Sequence, residues 1–164
     1  MAQLATKPTV YIETTIVSYL TARPSSDVVQ QGNVELTKRW WHGRRAEFEL
    51  FTSQFVLDEA GAGDPAAAAE RLAVLDELDL LAIPEEVEPL ARRIVSAGAL
   101  PAKARVDALH LSVATVNGMQ FLLTWNCKHL ANAMLRRRIE DTCRSAGYEP
   151  PAIGTPHELM GSSR

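Results

Sequence analysis

Thr9-Val10-Tyr11-Ile12-Glu13-Thr14-Thr15 is the stretch on which the fold reading turns. Thr9 to Ile12 are β-branched and aromatic residues, and they predict a short strand. Glu13 closes that strand. Thr14 or Thr15 then caps a helix running through Ile16, Val17, Tyr19 and Leu20. A strand passing straight into a helix is the opening of a β/α unit, and the same step recurs along the chain.

Leu50-Phe51-Thr52-Ser53 predicts a second strand, with Ser53 capping a helix over Gln54 to Ala60. Leu80 to Ile83 predicts a third, and Pro84-Glu85-Glu86 opens the helix after it. Met119 to Trp125 is an apolar run suited to a strand buried on both faces, followed by helical segments from about Lys128 to Ala146. Ala152-Ile153-Gly154 predicts a last strand. Thr155-Pro156-His157-Glu158 is a capping box that starts a terminal helix.

Helices fill the intervals. One runs from about Val28 to Glu49 behind the cap Pro24-Ser25-Ser26-Asp27, with Gly32 and Gly43 as weak points. Another runs from Ala66 to Leu78 behind Asp64-Pro65. A nearly apolar one runs from Lys103 to Val116 and ends at Asn117-Gly118. Short strands alternating with helices predict an α/β fold, three layers deep, around a short, mostly parallel sheet. In such sheets a site forms beyond the carboxyl ends of the strands.

The chain of 164 residues is short enough to be one domain over 1–164, with an ordered core from about 8 to 160. Its 46% hydrophobic and 23% charged residues match a globular protein rather than a disordered one. A net charge of −3 excludes a polycation that wraps nucleic acid without specificity. Cys127 and Cys143 have no zinc-ligand spacing and are read as reduced thiols. No apolar run approaches the ~18 residues of a membrane span, and no signal peptide is visible at the start, so the expected location is the cytoplasm, away from membranes.

Four polar residues stand where the apolar pattern would not place them. Glu13 follows the first strand. Glu59 shares a helical face with Phe55 and Val56. Asp107 lies in Val106-Asp107-Ala108-Leu109-His110-Leu111, the most apolar helix. Asn126 follows the strand that ends at Trp125. A buried carboxylate is costly unless it is paired or meets a cation. Carboxylates gathered in one pocket suit hard divalent ions such as Mg²⁺ or Mn²⁺, which take oxygen ligands. Such an ion can activate water against a phosphodiester.

Each residue also has an ordinary structural account. Glu13 can cap the following helix, Glu59 can be exposed, and Asp107 can pair with Lys103 four residues earlier. Asn126 can be a turn residue, and His110 and His129 can be satisfied structural histidines.

The chain resembles PIN-domain proteins, VapC-type toxins among them, in the pieces Tyr11-Ile12-Glu13-Thr14-Thr15, Ser53-Gln54-Phe55-Val56-Leu57-Asp58-Glu59, Val106-Asp107-Ala108-Leu109-His110 and Leu122-Leu123-Thr124-Trp125-Asn126. Their order and their placement at strand ends and on helices carry the likeness. The resemblance implies a PIN-like sandwich and a Mg²⁺ or Mn²⁺ site built by Glu13, Glu59, Asp107 and Asn126, with Thr124 or Thr14 as a hydroxyl beside it. It implies an endoribonuclease acting on single-stranded RNA, the toxin of a toxin–antitoxin pair, with an antitoxin protein as partner and a homodimer as the unit.

Two departures bear on the site. The family usually has Asp where this chain has Glu13, and commonly an acid where it has the neutral Asn126. A second metal is then expected to bind weakly or not at all. Asp58 is a possible substitute acid, but it lies about 100° around the helix from Glu59, so the two are not expected to face one pocket. For RNA contact, Thr14 and Lys103 are candidates near the acids. Trp40-Trp41-His42-Gly43-Arg44-Arg45 adds stacking surface and charge, with Arg44 and Arg45 as its cations. Arg136-Arg137-Arg138 is a second basic cluster, also compatible with a solvated helix face. Two other readings remain at this point: a catalytically impaired PIN-fold binding module, and a structure-specific DNA nuclease.

Overall fold

The computed structural model describes residues 6–161. Its five strands are β1 (Thr9–Ile12), β2 (Glu49–Thr52), β3 (Asp79–Leu80), β4 (Phe121–Leu123) and β5 (Ala152–Gly154). Every pairing is parallel, in the order β3-β2-β1-β4-β5. The α-helices are α1 (Thr14–Leu20), α2 (Val28–Gly43), α3 (Gln54–Ala60), α4 (Pro65–Leu75), α5 (Val87–Ser96), α6 (Arg105–Val116) and α7 (Ala133–Ser145).

This strand order fixes the layers. From β1 the chain moves outward through α1 and α2 to β2, then through α3 and α4 to β3. It then crosses the whole sheet through α5 and α6 to β4, and moves outward the other way through α7 to β5. Parallel crossovers are right-handed, so reversing the direction of travel puts the second set of helices on the opposite face. The result is a three-layer α/β/α sandwich. The reversal falls between the adjacent strands β1 and β4, the switch point where sites form in such sheets.

The two central strands read as expected of doubly covered strands. Val10, Tyr11 and Ile12 are all fully buried, as are Leu122 and Leu123. Around them pack Ile16, Trp40, Leu75, Ile94, Leu111, Leu130 and Ile139.

Element boundaries moved where side-chain chemistry differed from propensity. Thr14 and Thr15 lie inside α1, and its cap is Glu13, whose carboxylate accepts from the Thr15 N–H at 3.1 Å. Ser53 precedes α3 without capping it, because its hydroxyl is bonded to Tyr11 instead. α2 runs unbroken through Gly32 and stops at Gly43, and a 3₁₀ turn, Arg45–Glu47, follows it. α4 ends at Leu75, short of Leu78. The capping box at Thr155 and Glu158 forms, but only a single 3₁₀ turn follows it. Cys127 is exposed and Cys143 buried, and both are free thiols. No helix among the described residues is long and apolar enough to cross a membrane.

Candidate active site

Glu13 leaves the carboxyl end of β1 and is almost wholly buried, with 3% exposure. All three hydrogen bonds that reach its carboxylate fall on Oε2: from the Thr15 N–H at 3.1 Å, from the Thr15 hydroxyl at 2.5 Å and from the Thr124 hydroxyl at 2.7 Å. Oε1 receives none among the described residues. Burial pushes the Glu13 carboxyl above its usual range, against the pull of the His110 ring and these donors. Desolvation outweighs these partners, and a cation beside the free oxygen would offset it.

Glu59 projects from α3 toward the same place. Thr14 donates to its Oε1 at 2.7 Å, and His110 Nε2 bonds the same oxygen. Oε2 receives no hydrogen bond among the described residues. Burial pulls the Glu59 carboxyl up, but the His110 bond, the His110 charge and the Thr14 hydroxyl together outweigh it and hold the carboxyl below its usual range. One ligand atom each from Glu13, Glu59 and His110 lies within 4.8 Å of the others.

His110 is completely buried in α6. Its Nδ1 faces the Tyr11 hydroxyl at 2.7 Å, and that hydroxyl in turn meets Ser53 Oγ at 2.8 Å. The sequence reading gave His110 a structural role and did not count Tyr11 among the site residues. Two signals were available. His110 lies three residues after Asp107 and shares its helix face. A tyrosine between Val10 and Ile12 in a doubly buried strand must also find a partner for its hydroxyl.

Asp107 and Asn126 are arranged differently from the expected four-ligand set. Asp107 Oδ2 lies 2.8 Å from His129 Nδ1, and both side chains are largely buried, at 19% and 15% exposure. The Lys103 pairing offered by sequence is replaced by this one, and Lys103 is exposed. Asn126 Oδ1 accepts from the His129 N–H at 3.0 Å, so it holds the turn after β4. The Asn126 N–H donates to Thr124 Oγ1 at 2.9 Å.

The contacts close into a ring at the carboxyl edge. Glu13 bonds Thr124, Thr124 bonds Asn126, and Asn126 and Asp107 both bond His129. One turn of α6 separates Asp107 from His110, which bonds Glu59, which bonds Thr14 beside Glu13.

Arg44 and Arg45 do not belong to this ring. Arg45 opens the turn before β2 and pairs with Glu77, just before β3, at 3.1 Å. Both lie at the amino edge of the sheet, about 13 Å from the carboxyl edge for a four-residue strand. Arg45 covers the Trp41 ring at 4.2 Å, and Arg44 pairs with Glu47 at 2.8 Å. Trp40 and Trp41 are buried core residues, the Trp40 indole N–H donating to the Leu159 carbonyl. The stacking surface expected at this stretch is therefore used for packing.

No family model matches the chain, and no curated protein matches it in sequence. Solved structures do match it in fold. One is Mycobacterium tuberculosis VapC20, a sarcin–ricin-loop-cleaving toxin, with a TM-score of 0.57 at 16% identity over 76% of this chain and 95% of that one. Another is VapBC2 from Rickettsia felis, bound to a DNA fragment from its promoter, with a TM-score of 0.54 at 16% identity over 90% of this chain and 98% of that one. The parallel three-layer sandwich is a PIN-domain fold. Within that class it is VapC-like, and at this identity the likeness is one of fold.

Proposed function

We propose that the chain is a Mg²⁺- or Mn²⁺-dependent endoribonuclease that hydrolyses single-stranded RNA, working as a cytoplasmic toxin. We take residues 1–164 as one PIN-like domain, a homodimer as the unit and an antitoxin protein as the partner. The observation that carries the reading is the pair of acids at the switch point. Glu13 and Glu59 each have one oxygen held by donors and the other free of hydrogen bonds among the described residues. Hard divalent ions need such unencumbered oxygens.

Glu13 and Glu59 would hold the ion, and Asp107 and Asn126 would complete its surroundings as they exchange their His129 bonds for it. The ion supplies Lewis acidity and offsets charge on the phosphoryl group. The protein's own part is to keep the two acids in register. Thr15 and Thr124 fix Glu13, and Thr14 and His110 fix Glu59. Thr14, partly exposed and bonded to Glu59, is the hydroxyl proposed to meet the phosphate, Thr124 lies fully buried behind Glu13 as its donor, and Lys103 is the proposed cation for the RNA backbone. VapC20 is a sarcin–ricin-loop-cleaving toxin, and VapBC2 is bound to a DNA fragment from its promoter. Both support the reading through fold.

A second reading has its own observation. Asp107 and Asn126 both engage His129, as they would in a binding module that uses no metal. One experiment separates the two. Purified protein is given single-stranded RNA with Mn²⁺ or with EDTA, and with single-stranded and flap DNA as controls. RNA cut only with Mn²⁺, leaving 5′-phosphate and 3′-hydroxyl ends, is the expected result. No cleavage and no Mn²⁺-induced thermal stabilisation would establish the binding module, and preferred cutting of flap DNA would establish a DNA nuclease.

A further inference from the structure

Resting on the metal reading above, we propose that His110 is a positioning residue for Glu59, locked in place by the Tyr11 hydroxyl, so that the free oxygen of Glu59 faces the cation. The direction of the hydrogen bonds follows from chemistry. An ionised carboxylate only accepts, so Glu59 Oε1 requires His110 Nε2 to carry a hydrogen. Whenever the ring carries no charge, Nδ1 is the acceptor and the Tyr11 hydroxyl 2.7 Å away donates to it. Burial pushes the Tyr11 phenol above its ordinary range, which favours the donor form that this 2.7 Å contact uses. Ser53 Oγ, 2.8 Å from the phenol, completes the relay as donor to Tyr11.

Every hydrogen thus points one way: Ser53 to Tyr11, Tyr11 to His110, His110 to Glu59. The relay joins three elements of the fold. Tyr11 comes from the central strand β1, His110 from α6, and Ser53 and Glu59 flank and occupy α3. It also accounts for two otherwise odd features, a tyrosine in the most buried strand and a serine before α3 that caps nothing. A ring that is fully buried and held at both nitrogens cannot turn, so Glu59 is offered one fixed donor. Residues that orient a ligating carboxylate in this way typically change metal affinity 10–100-fold when lost.

The test uses the full chain as wild type and as Tyr11→Phe, His110→Ala and His110→Gln. Mn²⁺ affinity is measured by titration, and ¹⁵N NMR of the metal-free protein reads which His110 nitrogen carries the hydrogen. Wild type is expected to show one tautomer, hydrogen on Nε2. Tyr11→Phe, which keeps the ring volume, is expected to give a mixture. Mn²⁺ affinity is expected to fall about 10–100-fold in His110→Ala and to recover in His110→Gln, whose amide can donate from a similar position.

Folded Tyr11→Phe with one unchanged tautomer, or folded His110→Ala with wild-type Mn²⁺ affinity, would overturn the proposal. Should His110→Ala fail to fold, Tyr11→Phe carries the decision through both readouts. Wild-type protein that shows the single tautomer but binds no Mn²⁺ refutes the metal reading, and with it the positioning role, while the nitrogen signals still report the relay itself.

Discussion

Thr124 Oγ1 donates to Glu13 Oε2 at 2.7 Å and accepts from the Asn126 N–H at 2.9 Å, so one hydroxyl ties the end of β4 to the acid that ends β1. This bond spans the switch point of the sheet. Thr124→Val keeps the shape and removes both interactions. Glu13 loses one of three donors, and the Asn126 N–H loses its acceptor. The expected destabilisation is about 1–3 kcal/mol, read by urea unfolding, and the Glu13 carboxyl should titrate still higher. A variant as stable as wild type would mean that the bond is dispensable.

Stability should depend on pH in opposite senses at the two acids. The folded state holds the Glu13 carboxyl above its unfolded value. Its contribution is therefore fully present below the unfolded value, near 4.5, and is lost as pH rises through the folded one. Glu59 is held low, so its contribution is present above about 4.5 and is lost as pH falls through the folded value. Thermal melts of metal-free protein across pH should show Glu13→Gln removing the high-pH loss and Glu59→Gln removing the low-pH loss. Identical profiles in both variants and wild type would contradict these directions.

The same displaced titration predicts how a metal acts. A divalent ion must displace the proton from Glu13, so the Mn²⁺-induced rise in Tm should grow as pH rises through the Glu13 titration. At Mn²⁺ about 100 times its Kd the stabilisation should approach ~2.7 kcal/mol. Glu13→Gln should flatten the pH dependence, and Glu59→Gln should reduce the shift itself.

Asp107 tests the proposed chemistry most sharply. Asp107→Asn keeps the side-chain shape but removes a charge from the ring. RNA cleavage with Mn²⁺ should fall about 100-fold or more while the far-UV spectrum stays unchanged. A variant that cuts as fast as wild type would remove Asp107 from the site.

The arginines at the amino edge supply the contrasting case. Arg44→Ala and Arg45→Ala should leave RNA cleavage and its salt dependence unchanged. Arg45→Ala should cost about 0.5–1 kcal/mol of stability through the lost contact with Trp41. Lys103→Ala should weaken RNA binding across sequences and reduce the salt slope by about 1. Equal loss of cleavage from all three substitutions would place the RNA path elsewhere.

By itself the sequence determined the local elements and the class of fold. A β-branched and aromatic run specifies β1, an apolar run specifies β4, and Asp64-Pro65 starts α4, because these signals act over a few residues and need no distant partner. The acids Glu13 and Glu59 stood out because an apolar pattern has no other use for them. What required tertiary structure was partnership. Asp107 turns to His129 rather than Lys103, Ser53 serves Tyr11 rather than its own helix, and Arg44 and Arg45 fall at the far edge of the sheet. A side chain's hydrogen-bond partner is set by which distant segment lies within 3 Å, and only the strand order β3-β2-β1-β4-β5 brings those segments together.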